Sequence, residues 1–242
     1  DRRTPPTWSF DLYTDVETAH DALDWAQNME QLWDAEDLRS TPNAVVALRY
    51  KVADRIRRVY GRPGNFDIVP SFIRTGRVHM VADFRLAEHT YYDDVEESIR
   101  INTIPSNTSA SGFTFPITFP LTIGAQGDSP IVEQAVVRGK RPTWIDVTFH
   151  GPSLDPWIMI GGQRWQLDGE LGAQESIRMS GKSWQQGLQR NDGAWMAGML
   201  GPQARLSQLR LKPGNYPVKY GAYDPTGTSR AEVAWRAAYG TM

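Results

Sequence analysis

The sequence predicts a mainly β protein in two parts, a small β-barrel or sheet flanked by one α-helix followed by a β-sandwich of jelly-roll type. Three observations carry this. Only one stretch keeps a helical apolar period, many short runs alternate with the period of two that marks half-buried strands, and Gly/Pro turns separate those runs at short intervals. With 242 residues the chain is long enough for two modest domains, each with its own core.

Trp8, Phe10 and Leu12 alternate with polar neighbours as a first strand. Thr14-Asp-Val-Glu17 matches a capping box, in which a Thr oxygen and a Glu carboxylate satisfy free amides at a helix start. Val16, Ala19, Leu23, Ala26, Met29 and Leu32 then recur every three or four residues, so a helix is expected over about 15–38, stopped by Thr41-Pro-Asn43. Val46, Leu48, Tyr50 and Val52 share one face of the next strand and Ala47, Arg49 and Lys51 the other. Ala53-Asp54 is placed to turn the chain into a partner strand carrying Arg55 to Val59, and Gly61-Arg-Pro-Gly-Asn65 reads as a turn. Val78, Met80, Ala82, Phe84 and Leu86 alternate inward on a third strand.

Pro105 to Gly112 is small, polar and without core residues, which sets the expected organisation: a domain over 1–104, a linker over 105–112 and a second domain over 113–242. In that second part Phe113, Phe115, Ile117, Phe119, Leu121 and Ile123 alternate, with Pro116 and Pro120 on the opposite face, as an edge strand or strap. Ile145, Val147 and Phe149 form another strand. Ile158 to Trp165 reads as a hairpin turned at Gly161-Gly162, Leu209 to Asn215 ends a strand in a turn before a new one at Val218, and Ala231, Val233, Trp235, Ala237 and Tyr239 make a closing strand.

The search for chemistry excludes more than it finds. Absence of cysteine removes disulfides, thiolate metal sites and Cys nucleophiles, and none of the four histidines has a partner at metal-ligand spacing, so no metal or other cofactor is expected. No G-x-S-x-G, P-loop or G-x-G-x-x-G is present, and Ser153 follows His150 without triad spacing to support it, so no enzymatic activity is expected. Asp168-Gly-Glu170 places two acids on one strand face at a spacing of about 7 Å that an inverting glycosidase can use, though exposed acids two apart on a strand are common. A net charge of −2 neither demands nor forbids a nucleic-acid partner. No apolar run approaches a membrane span and no leader pattern opens the sequence, so neither membrane insertion nor secretion is expected.

The most unusual local feature is basic. Arg49, Lys51, Arg55, Arg57, Arg58 and Arg62 fall within fourteen residues, interleaved with Tyr50 and Tyr60. Such a strip can track a phosphate backbone, or it can meet an acidic surface on another protein. The helix supplies such a surface through Asp21 and Asp24, so Arg49, Lys51, Arg55 and Arg57 facing Asp21 and Asp24 form a candidate contact between identical subunits. Trp157, Trp165 and Trp195 are candidate glycan contacts, with core or interface packing as the commoner use of such residues.

Several strings together resemble a known family. Trp8-Ser-Phe-Asp-Leu12, a helix with Trp25 and Trp33, Val46-Ala-Leu-Arg-Tyr50, Arg58-Val-Tyr-Gly-Arg-Pro63, Phe84-Arg-Leu-Ala-Glu88, Gly151-Pro-Ser153 and Leu209-Arg-Leu-Lys-Pro-Gly214 are similar to the minor tail proteins of siphoviruses that infect actinobacteria, specifically the distal tail proteins. The resemblance implies an N-terminal split β-barrel with a flanking helix and a C-terminal galectin-like β-sandwich. It implies a structural role in the virion at the distal end of the tail, after assembly in the host cytoplasm. Six copies would form a ring joining the tail tube protein to the tape measure and tail-tip hub proteins, with phage DNA passing through the lumen and receptor-binding or side-fibre proteins outside. No cofactor or reaction is implied. The galectin sugar-reading runs are absent, since His150-Gly-Pro-Ser-Leu154 departs from H-x-N-x-R and neither Trp165 nor Trp184 is followed by the required acid and arginine. A carbohydrate-binding module that recognises host cell-wall glycans is the alternative function.

Overall fold

A computed structural model of the chain describes residues 6–69, 74–103 and 132–241. It divides into two compact units, residues 1–94 with 239–242 and residues 95–238. The expected linker at 105–112 and the alternating run from Phe113 to Ile123 lie outside the described residues.

The first unit is built on one antiparallel sheet. Its elements are β1 Thr7–Asp15, α1 Ala19–Asp34, α2 Glu36–Ser40, β2 Val46–Val52, β3 Arg55–Val69, β4 Arg77–Leu86 and β5 Tyr91–Asp93. β1 pairs with β4, β4 with β3, and β3 with both β2 and β5. The sheet is open rather than closed into a barrel among the described residues, so the split barrel expected here takes the form of an open sheet with a helix packed on it.

β1 runs on to Asp15, so the helix starts later than 15. Thr18 is the cap rather than Thr14: it is extended, its oxygen accepts from the Asp21 amide at 3.1 Å, and its hydroxyl donates to the Asp21 carboxylate at 2.7 Å. Ala35, in the left-handed region at φ 44°, separates α1 from α2. Of the expected stripe, Val16, Ala26 and Met29 pack inward, while Leu23 and Leu32 do not and Ala22 takes a buried place instead. Ala22 and Ala26 pack on Val78 and Met80, flanked by Trp25 and Met29, whereas Leu23 and Leu32 face outward and Leu32 is 75% exposed. Small alanines let the helix axis approach the sheet closely, and the bulk of Trp25 and Met29 then fills the margins. At the far end of α1 the Trp33 indole donates to the Asp83 carbonyl at 3.2 Å, holding the helix to β4.

Val78, Met80, Ala82, Phe84 and Leu86 of β4 are all buried, as their alternation requires. Gly61 to Asn65, by contrast, is no turn. β3 continues through it, and the register with β4 slips between Pro63 and Phe66, so Gly64 and Asn65 together oppose Asp83 as a β-bulge. Glycine is needed because a Cβ on Gly61 would run into the Arg85 carbonyl. Pro63 opposes Phe84 at the edge of that bulge, a position in which proline is commonly found.

The second unit is a β-sandwich. Its strands are β6 Glu97–Asn102, β7 Val132–Val137, β8 Thr143–His150, β9 Ser153–Ile160, β10 Gln163–Gln166, β11 Glu170–Leu171, β12 Ser176–Ser180, β13 Gly187–Arg190, β14 Arg210–Leu211, β15 Gly214–Tyr223 and β16 Arg230–Trp235, before β17 Ala238–Tyr239 returns to the sheet of the first unit. One sheet has the order β10-β9-β15-β7 with β11 added on β9, and the other the order β13-β12-β8-β16-β6 with β14 added on β8. β6 precedes the expected boundary at 104 yet pairs with β16 along its whole length. Ile145, Val147 and Phe149 from one sheet and Ile158, Ile160, Val218 and Tyr220 from the other meet in a single core. The β9–β10 hairpin turns at Gly161 and Gly162, both at positive φ, as a tight two-residue loop requires. The run expected as one closing strand ends β16 at Trp235 and resumes at Ala238.

One carboxylate is buried on β8. Asp146 accepts from the Ser180 hydroxyl and the Lys182 ammonium, each at 2.7 Å, and from Arg178. Burial works against its charge, and the two cations outweigh that effect and hold the carboxyl below its usual range. Removing the carboxylate leaves a half-buried ammonium unpaired. Asp146→Ala is expected to lower the unfolding free energy of the second unit by about 3 kcal/mol, read from the midpoint of urea denaturation.

Candidate assembly surface

The basic strip lies on the β2–β3 hairpin, which pairs Val52 with Arg55 and so confines its loop to Ala53 and Asp54. Because side chains alternate, the strip does not present one basic face. Leu48, Tyr50, Arg57 and Val59 point to the inner face; Arg49 and Arg58 stand opposite each other on the outer one.

Arg57 is only 5% exposed. Its Nη1 lies 2.9 Å from Asp93 Oδ1, and its guanidinium stacks 3.6 Å above the ring of Tyr239, whose hydroxyl donates to the other Asp93 oxygen at 3.2 Å. Arg57 is therefore not available to a second subunit, and its place in the expected contact is corrected: it ties β5 and the C-terminal strand into its own sheet. Beside it, burial pushes the Tyr50 phenol up to about 12, and the Tyr50 hydroxyl is buried without a partner.

On the outer face Arg58 and Arg49 converge on one carboxylate, Asp94. Arg58 Nε donates to Asp94 Oδ1 at 3.1 Å, its Nη2 binds both that oxygen and the Asp94 carbonyl, and Arg49 binds Oδ2. Hydrogen bonds from Arg58 and Arg49 hold the Asp94 carboxyl below its ordinary value. Burial opposes charge on Arg58, and its bonds to Asp94 and Tyr60 outweigh that and raise it. Arg62 donates to the carbonyls of Leu38 and Thr41, fastening the end of α2.

What remains for a partner is the tip. Lys51 and Arg55 are exposed, and among the described residues neither has an ion pair; Val52 and Ile56 beside them are large apolar side chains left largely in water. The helix acids are placed differently from each other. Asp21 is absorbed in the Thr18 cap, and Asp24 lies exposed, 3.5 Å from His20. β1, paired only with β4, leaves its outer edge open among the described residues.

The three tryptophans do not converge either. Trp165 is 1% exposed, in the core, with its indole donating to the Arg205 carbonyl at 3.2 Å, so its expected glycan contact is corrected. Trp195 is 61% exposed against Gly187. Trp157 is half-buried against Gly221, under the Arg164 guanidinium.

The paired acids are not on one strand face: Asp168 precedes β11, Gly169 turns the chain at φ 131°, and only Glu170 is in the strand. Ser153 Oγ and His150 Nε2 are both buried and make no hydrogen bond to each other, and Ser153 lies beside the Tyr220 hydroxyl instead. Burial, reinforced by Arg230, lowers the His150 imidazole from its usual value. Among the described residues no three metal-ligating side chains cluster, and no helix is long and apolar enough to cross a membrane.

No family model matches the chain, and no curated protein is similar to it in sequence. Solved structures do match. A chain of the phage P2 baseplate in its activated conformation with calcium superimposes with a TM-score of 0.58, covering 99% of this chain and 81% of that one at 12% identity. The same baseplate with strontium gives 0.55, with the same coverage and 14% identity. The fold is one that a phage baseplate chain also adopts. At that identity the likeness is of fold, and it spans both units.

The division of labour within the hairpin is testable by stability. Arg57→Ala is expected to lower the unfolding free energy of the first unit by about 2 kcal/mol, because it strands a carboxylate and frees the last strand. Arg55→Ala is expected to change it by less than about 0.5 kcal/mol. Urea titrations of the two variants read the difference.

Proposed function

We propose that this chain is a structural subunit of a phage tail tip, a distal tail protein of the siphovirus type that acts by assembly rather than catalysis. The single observation that carries the reading is the likeness of fold to phage P2 baseplate chains over nearly the whole chain. The tail-protein strings from Trp8 to Glu88 and from Gly151 to Gly214 support it independently.

In this reading six copies close into a ring through their N-terminal units. The ring joins the tail tube protein above to the tape measure and tail-tip hub proteins, and phage DNA crosses its lumen. The galectin-like second unit faces outward, where receptor-binding or side-fibre proteins attach. The protein resides in the virion at the distal end of the tail after assembly in the host cytoplasm. No cofactor is required, since the work is geometric.

The hairpin tip fits a contact between copies. Lys51 and Arg55 supply charge for steering, and Val52 and Ile56 supply apolar surface. Asp24 on the outer side of α1 is an acidic counterpart within reach of a head-to-tail arrangement, which needs two different patches on each copy.

Sedimentation velocity of the full chain tests this. A species of six protomers is expected, and the double variant Lys51→Glu, Arg55→Glu is expected to weaken its association by about tenfold or more. Added salt should weaken the wild type more than the variant. A chain that stays monomeric at every concentration, alone and with tail-tube protein, overturns the reading.

A further inference from the structure

A cavity of about 340 Å³ opens on the second unit, on the side of the sheet facing away from the core. We propose that it is a saccharide-binding site, built from Arg164, Gln166 and Asp168 and walled by the segment Gly201–Ala204. This goes beyond the tail-tip reading and does not depend on ring formation, since every residue belongs to the second unit.

The site follows from the period of β10. Trp165 and Leu167 point into the core and are fully buried, so Arg164, Gln166 and Asp168 fall on the opposite face at successive even positions. There they join end to end: Arg164 Nη2 donates to Gln166 Oε1 at 2.9 Å, and Gln166 Nε2 donates to Asp168 Oδ1 at 3.3 Å. The result is a row of three planar polar groups in fixed order, guanidinium, carboxamide and carboxylate.

The row is backed at both ends, while Arg164 and Asp168 themselves remain exposed. Under Arg164 lies the Trp157 indole, 4.5 Å from guanidinium to ring centroid, and the indole rests against Gly221, where any Cβ would strike it. Trp157 therefore seats Arg164 rather than offering an open stacking face. At the other end the backbone bonds Asp168 N to Met199 O at 2.8 Å and Gly201 N to Gln166 O at 3.0 Å lock the wall onto the row. Glycine suits position 201, where a Cβ would sit a tight 3.0 Å from the Gln166 carbonyl.

The chemistry selects a class of ligand. Arg164 retains donors beyond the one given to Gln166, and Asp168 Oδ2 has no partner among the described residues. One positive and one negative group cancel, so the site has no net preference for a phosphate or a charged peptide. It offers donors and acceptors side by side along one row, which vicinal hydroxyls of a pyranose can engage, each hydroxyl giving one hydrogen and accepting another. The volume suits a mono- or disaccharide.

The test uses the full chain with a panel of methyl pyranosides of gluco, galacto, manno, rhamno and N-acetylglucosamine configuration, followed by saturation-transfer difference NMR. Transfer to the ring protons of at least one glycoside is expected. Asp168→Asn, which keeps the shape, and Gln166→Ala should each reduce affinity by about tenfold or more, while Trp195→Ala leaves it unchanged. Circular dichroism confirms that the variants are folded. Transfer to no glycoside, transfer lost only in Trp195→Ala, or binding of inorganic phosphate that strengthens in Asp168→Asn each overturns the proposal.

Discussion

A buried guanidinium needs an anion beside it, and in the first unit Asp93 answers that need for Arg57 by charge, since Arg57 Nε and Nη1 are buried without a hydrogen bond. Asp93 supplies the charge, and Tyr239, from the far end of the chain, supplies both a ring face and a hydroxyl that orients the same carboxylate. The consequence reaches well beyond one ion pair. It fixes β5 beside β3, recruits the C-terminal strand, and assigns the two faces of the hairpin, since Arg57 inward forces Arg58 outward onto Asp94. Most of the basic strip is thereby committed to intrachain ties, and only its tip remains for another molecule.

Much of this architecture was legible because it depends on local period. The alternation in β4, the inward set on β8, the hairpin at Gly161-Gly162 and the presence of α1 all follow from side-chain spacing and turn chemistry, whereas the cap expected at Thr14 falls at Thr18. The misreadings share a different cause. On α1, Ala22 and Leu23 both stand at helical spacing from the buried Ala26, and only packing against Val78 and Met80 selects Ala22. Gly61 to Asn65 has turn composition, yet glycine and proline serve a bulge as well as a turn, and pairing with β4 decides between them. The partners of Arg49 and Arg58 lie more than thirty residues away at Asp94, a contact no spacing rule reaches.

The surface sites divide in the same way. Trp165 alternates with Leu167 into the core, and that period was a sufficient signal to set it apart from Trp157 and Trp195. The same alternation sets Arg164, Gln166 and Asp168 on one polar face. Their closing wall at Gly201 comes from a distant loop and emerges only with the fold. Structural polar chemistry occurs in both units, around Arg57 in the first and around Asp146 in the second.

An image of the assembled particle at side-chain resolution tests the central claim most directly. The account predicts Lys51 and Arg55 at the seam between neighbouring copies, with Arg57 enclosed within its own copy between Asp93 and Tyr239. A ring in which Arg57 crosses to a neighbour, or in which the Lys51–Arg55 tip points into the lumen with the seam formed elsewhere, would contradict it.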